Sequence, residues 1–203
     1  MKCIYIVYLV ISLITNSKGI MKKVPVQSEL GLFLYTNEKT KNQLEIQYQN
    51  EKELINIIGL LKEIPPEIVD CVDKIVLYDD EMEENVAGIS KDRTIKLYDF
   101  SSYCVSMQKH IIYHEFAHVL GNKLMQYKII DYHYTEYQEY VKLDNNYVTK
   151  YSKEYIIEKD NYSEDFADSI AQYLINKEKF ILKYPNRAKY ILQLLDTTGV
   201  DMV

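Results

Sequence analysis

Two histidines four residues apart, with a glutamate beside the first, occur in Tyr113-His114-Glu115-Phe116-Ala117-His118. Residues of these types at this spacing suit metal-assisted hydrolysis of a peptide bond. On a helix, positions i and i+4 share a face, so both imidazoles reach one ion, while Glu115, turned about 100° from His114, reaches the water it activates. His114 and His118 are therefore the expected metal ligands and Glu115 the expected general base. A catalytic zinc site needs a third protein ligand and an open position. Downstream, Asn161-Tyr162-Ser163-Glu164-Asp165-Phe166-Ala167-Asp168 offers one. Glu164 is the expected third ligand of a single Zn²⁺, and Asp168, one turn on, is the expected acceptor for the free ring nitrogen of a ligating histidine.

Such residues work only if two helices hold them. In residues 106–120, Ile112, Phe116, Val119 and Leu120 form one apolar side, while Met107, His110, Ile111, His114, His118 and Gly121 share the other. This pattern predicts a buried helix with its histidine face on a cleft. Ser106 is the expected N-cap, and Gly121-Asn122 either ends the helix or lets a neighbouring backbone come close. His110, one turn before His114, is read as a wall residue with no assigned role. For the second helix, Ser163 is the expected N-cap, Glu164 and Asp165 suit the first turn, and Phe166, Ile170 and Leu174 bury one side.

The segments Tyr113-His-Glu-Phe-Ala-His-Val-Leu-Gly121 and Ser163-Glu-Asp-Phe-Ala-Asp-Ser-Ile170 together resemble the catalytic domain shared by anthrax lethal factor and the secreted clostridial Pro-Pro endopeptidases, a gluzincin family of zinc metallopeptidases. The resemblance covers roughly residues 72–196 and is specific at the two helices. It implies zinc bound by His114, His118 and Glu164, with Glu115 as base. The family also places an oxyanion-supporting tyrosine seven residues before the ligand glutamate. Here that position is Ile157, and Tyr155 takes the expected role if the loop bulges.

Around these helices, residues 32–36, 44–48, 88–90 and 94–98 alternate like strands, the last two leading to an edge beside the active-site helix, and 74–78 reads as another strand. In gluzincin-like enzymes such an edge pairs with the extended substrate; a strand without substrate contact is the plainer reading. Residues 51–61 read as a helix with Leu54, Ile57, Ile58 and Leu61 on one stripe, stopped by Pro65-Pro66. The acidic run at 79–84 reads as a solvated loop. Residues 123–157, rich in tyrosine, suggest an amphipathic helical hairpin more than an aromatic groove, and Pro185 opens a closing helix. The expected fold class is α+β: a small twisted sheet with an edge strand beside the active-site helix, then a helical C-terminal lobe.

At 203 residues, 47% hydrophobic and 27% charged, residues 18–203 suit one zinc metallopeptidase domain, an α/β part to about 105 and a helical catalytic part over 106–203. A net charge of −6 argues against nucleic acid and favours a protein or peptide substrate for a monomeric enzyme, with or without a delivery partner. Met1-Lys2, an apolar run over 3–14 and small residues to Ser17 read as an export signal over 1–17, or else as a buried first strand. The run falls short of the roughly 20 apolar residues of a membrane span. The scarcity of Gly and Pro beside many Lys, Asn, Ile and Tyr suits an AT-rich bacterial gene, so a secreted bacterial enzyme is expected. Cys71 and Cys104 either bridge or stay as buried thiols. Two rivals are a catalytically inactive, lethal-factor-like binding module of a toxin and an intracellular regulatory metallopeptidase. The intact Glu115 and Glu164 speak against the first, and the apolar start against the second.

Overall fold

Period-two patterning builds a five-stranded mixed sheet in the computed structural model, which describes residues 30–78 and 86–197. The expected export segment over 1–17 and the acidic run at 79–84 lie outside the described residues. Strand β1 (Gly31–Thr36) pairs antiparallel with β2 (Gln43–Tyr48), and β2 runs parallel to β3 (Lys74–Tyr78). Strand β4 (Gly88–Lys91) forms a hairpin with β5 (Thr94–Tyr98), and β5 lies parallel to β3, giving the order β1-β2-β3-β5-β4 with β4 at an edge. Phe33, Leu44, Ile46, Ile75, Leu77, Ile95 and Leu97 are buried along one face, as the alternation requires.

The parallel β2–β3 pair needs a crossover, supplied by α1 (Glu51–Leu61) and the short α2 (Pro66–Val69). Leu54, Ile57, Ile58 and Leu61 of α1 are all buried, as the stripe predicts. Pro66 does more than stop α1: its fixed φ opens α2 at the first helical position, where the missing N–H costs nothing.

Helix α3 (Val105–Gln126) packs on β4 and β5, and the remaining helices form the C-terminal lobe: α4 (Thr135–Asp144), α5 (Lys150–Lys159), α6 (Ser163–Ile175), α7 (Lys177–Lys183) and α8 (Pro185–Thr197). The class is thus mixed α+β, and among the described residues no helix is long and apolar enough to cross a membrane. Cys104 precedes α3 in the cap position, so Ser106 lies inside the helix and does not cap it. Cys71 is buried and Cys104 exposed, and both are free thiols, so the two do not bridge.

The lobe is tied together by charge as well as by apolar contact. Arg187 on α8 is fully buried and donates from Nε to Asp165 Oδ1 at 2.8 Å and from Nη2 to the Asn146 carbonyl at 2.7 Å. Asp165 also accepts from the Tyr137 hydroxyl of α4 at 2.8 Å, and Asp144 accepts from the backbone N–H of Asn186 and Arg187 at the start of α8. Removing one member of such a sealed pair strands the others without solvent. Arg187→Ala is expected to destabilise the protein by about 3–5 kcal/mol, read as a lowered midpoint in urea unfolding; a loss within about 0.5 kcal/mol, typical of a surface site, would show that the pair does not hold the lobe.

Candidate metal centre

Helices α3 and α6 share the most extensive helix–helix contact of the fold, and every expected ligand lies on one of them. Ile112, Phe116, Val119 and Leu120 are buried along α3, leaving the histidine face to a cavity of about 870 Å³. The helix does not end at Gly121-Asn122 but runs on to Gln126. What approaches Gly121 is a side chain rather than a backbone: a Cβ there would lie 2.8 Å from the Tyr134 hydroxyl and 3.5 Å from Phe166 of α6. Tyr134 is 3% exposed and holds a left-handed backbone at φ 54°, a conformation a bulky residue keeps only when its surroundings impose it.

Helix α6 starts one residue earlier than expected. Asn161 Oδ1 accepts from the Ser163 N–H at 2.8 Å, Tyr162 occupies the cap position, and Ser163 is the first helical residue. Glu164 then falls in the first turn, where a carboxylate complements the helix dipole, and faces the α3 histidines. His114 Nε2 and His118 Nε2 are 3.0 Å apart, and Glu164 Oε2 lies 3.1 Å from the first and 3.4 Å from the second. A tetrahedral zinc with bonds of about 2.0–2.1 Å spaces its donors about 3.3 Å apart. Two imidazole nitrogens and a carboxylate oxygen converging at that spacing fit a borderline-soft divalent ion, zinc above all.

The electrostatics agree with a cation-shaped gap. Burial opposes a charged His114, yet the Asp168 and Glu164 carboxylates outweigh it and raise its pKa to about 10. Burial likewise opposes an ionised Glu164, but His114 and His118 bring it down to about 2. Without metal, a proton on the imidazole is the cation that the cluster holds.

Asp168 is 2% exposed and sits behind the ligands as expected, its Oδ1 accepting from His114 Nδ1 at 2.9 Å. The same oxygen meets His110 Nε2 at 3.1 Å, and Oδ2 accepts from the Thr149 hydroxyl. His110 is therefore a partner of Asp168 as well as a wall residue. Thr149, unnoticed in the sequence, caps α5 in a reciprocal box with Ser152. That cap motif is the one signal that could have pointed to it.

Glu115, 6% exposed, lies beside the histidines against the edge strand. A Cβ on Gly88 of β4 would come within 2.9 Å of its Cγ and Oε1, so only glycine leaves room for this carboxylate. Burial pushes the Glu115 carboxyl up, while His118, His114 and a hydrogen bond with Ser90 restrain it. A carboxylate tuned upward in this way suits a general base near neutral pH.

Tyr155 lines the cavity, and so does Tyr151 one turn earlier on α5, their rings 6.2 Å apart. Beyond partial burial, Glu164, Tyr155, Asp168 and Glu115 raise the Tyr151 hydroxyl pKa, whereas Ile157 points away at 66% exposure. The tyrosine-rich stretch forms two helices, but not the expected hairpin: α4 packs on α8 and α5 on α6, and Tyr132, Tyr134, Tyr151 and Tyr155 contribute to the cavity wall.

Compared with protein-family models, curated protein sequences and solved structures, the chain matches none.

A group whose folded pKa is depressed gives stability that is present above its unfolded pKa and lost as pH falls through the folded one. With metal removed by a chelator, the protein should therefore lose stability between pH about 4.5 and about 2 as Glu164 protonates. Thermal melts should show this acid-induced drop shrinking in Glu164→Gln; an unchanged drop would mean that the carboxylate is not held by the histidines.

Proposed function

We propose that the chain is a zinc-dependent endopeptidase that hydrolyses protein or peptide substrates. The observation that carries this reading is the triangle of His114 Nε2, His118 Nε2 and Glu164 Oε2, with the buried Glu115 beside it. These three residues would hold the ion, which when bound supplies a Lewis acid for the scissile carbonyl and lowers the pKa of a coordinated water. Glu115 takes the water's proton and delivers it to the leaving amine. Residues Ala87 to Ser90, at the free edge of the sheet, line the same cavity, and an extended peptide can add to that edge through main-chain hydrogen bonds. Tyr155, with Tyr151 as its neighbour, offers a phenol hydroxyl to the developing oxyanion.

The resemblance to the lethal factor and Pro-Pro endopeptidase family supports the same chemistry. The apolar run over residues 3–14 supports export, so the enzyme acts on a protein substrate outside the cell.

The test is zinc content together with cleavage of a diverse peptide library. Wild type should hold one zinc and cleave. Glu115→Gln should keep the zinc and lose roughly 10²- to 10⁴-fold in rate, whereas Glu164→Ala should lose zinc affinity itself. Equal zinc loss in both variants would overturn the role assignment, and zinc without cleavage in wild type would point to a binding module. Gly88→Ala, which crowds the base, should keep zinc and lower turnover by up to about 100-fold, the scale of a 1 Å misplacement; an unaffected rate would mean that the seat of Glu115 is not set by the edge strand.

A further inference from the structure

Asp168 has more partners than orienting one histidine requires. A carboxylate that accepts only from a ligand's ring N–H can rotate about its χ2 and slide off the imidazole plane. Here Oδ1 is shared by His114 Nδ1 at 2.9 Å and His110 Nε2 at 3.1 Å, the Thr149 hydroxyl holds Oδ2, and the residue is 2% exposed. An ionised carboxylate only accepts, so the proton between His114 Nδ1 and Asp168 Oδ1 belongs to Nδ1, which leaves Nε2 to face the ion. His110 then donates through Nε2–H to the same oxygen. The three donors come from two elements besides Asp168's own: His110 and His114 from α3, and Thr149 from the start of α5.

We propose that His110 and Thr149 are positioning residues of the metal centre: through Asp168 they fix the orientation and tautomer of His114 and thereby set the affinity of the site. The inference rests on the metal-binding reading above. Asp168 has two oxygens and limited rotation, so losing either added donor frees the carboxylate to turn and weakens its hold on His114. A carboxylate that spreads its charge over three donors also withdraws less of the His114 proton, leaving the ring a neutral ligand instead of an imidazolate. Groups of this kind behind a metal ligand change affinity by roughly 10- to 100-fold.

The experiment uses the full chain. Zinc affinity is measured by competition with a chelator of known strength, and the visible bands of the cobalt-loaded protein report the ligand field. His110→Phe and Thr149→Val should each weaken zinc roughly 10- to 100-fold and shift the cobalt bands. His110→Gln and Thr149→Ser, which keep a donor in reach, should restore most of both. Because both residues act through one carboxylate, His110→Phe should have no further effect in an Asp168→Ala background. Full additivity with Asp168→Ala, or an unchanged affinity and spectrum in His110→Phe, would overturn the proposal while leaving the metal centre standing. A wild type that takes up two zinc ions and an His110→Phe variant that takes up one would overturn it in favour of a second ion between His110, His114 and Asp168. A wild type that binds neither zinc nor cobalt would overturn the metal centre and this inference together.

Discussion

Two imidazole nitrogens and a carboxylate oxygen from two helices meet within 3.4 Å of one another at the seam of α3 and α6. Nitrogen and oxygen lone pairs do not crowd together in a half-buried place unless something positive lies between them. That requirement organises the rest of the molecule. On the metal-binding reading proposed above, the seam must be rigid enough to keep these three atoms at the spacing of an ion's donors. Buried Phe116 and Phe166 supply apolar contact, Gly121 lets Phe166 and the Tyr134 hydroxyl come close, and the ring of Tyr134 packs on Phe166 with centroids 5.2 Å apart.

Each remaining part of the fold answers to that gap from a different direction. The sheet comes from one side: its edge strand leaves out a side chain at Gly88, and the vacated space is where the Glu115 carboxylate lies. From below comes α5, whose first turn is fastened by a Thr149–Ser152 box and whose capping hydroxyl also reaches Asp168. From another side, α4 and α8 hold Asp165, the neighbour of Glu164 in sequence and turned about 100° from it on α6. Glu164 and Asp165 are adjacent carboxylates with separate roles, one turned to the cavity and one sealed in a structural network.

Much of this was legible because it is local. The i, i+4 histidine pair, the stripe of α1 and the apolar patterns of the five strands are short-range, and the structure places each within a residue or two of where they suggest. Caps were less legible: Ser106 and Ser163 have the right chemistry, but the chain begins the helices at Val105 and with Asn161 as the acceptor, choices settled by flanking backbone. The two prolines after α1 stop a helix and also start one. Arg187 lies on the closing helix that Pro185 opens, and nothing local says that Asp165 and Asp144 will surround it. Gly88 looks like a strand-weakening residue until the edge strand and α3 are brought together, and His110 remains unassigned until α6 delivers Asp168.

The Arg187–Asp165 pair has a consequence for how the protein meets a changing medium. Ion pairs such as Lys39–Glu67 and Arg93–Asp73 keep substantial contact with water and are weakened by dissolved salt, whereas a pair at 0% exposure is screened far less. Brine that erodes the surface pairs leaves the clasp between the last helix and α6 in place. The helix that carries Glu164 is thus anchored by an electrostatic contact that ionic strength weakens far less than the surface pairs.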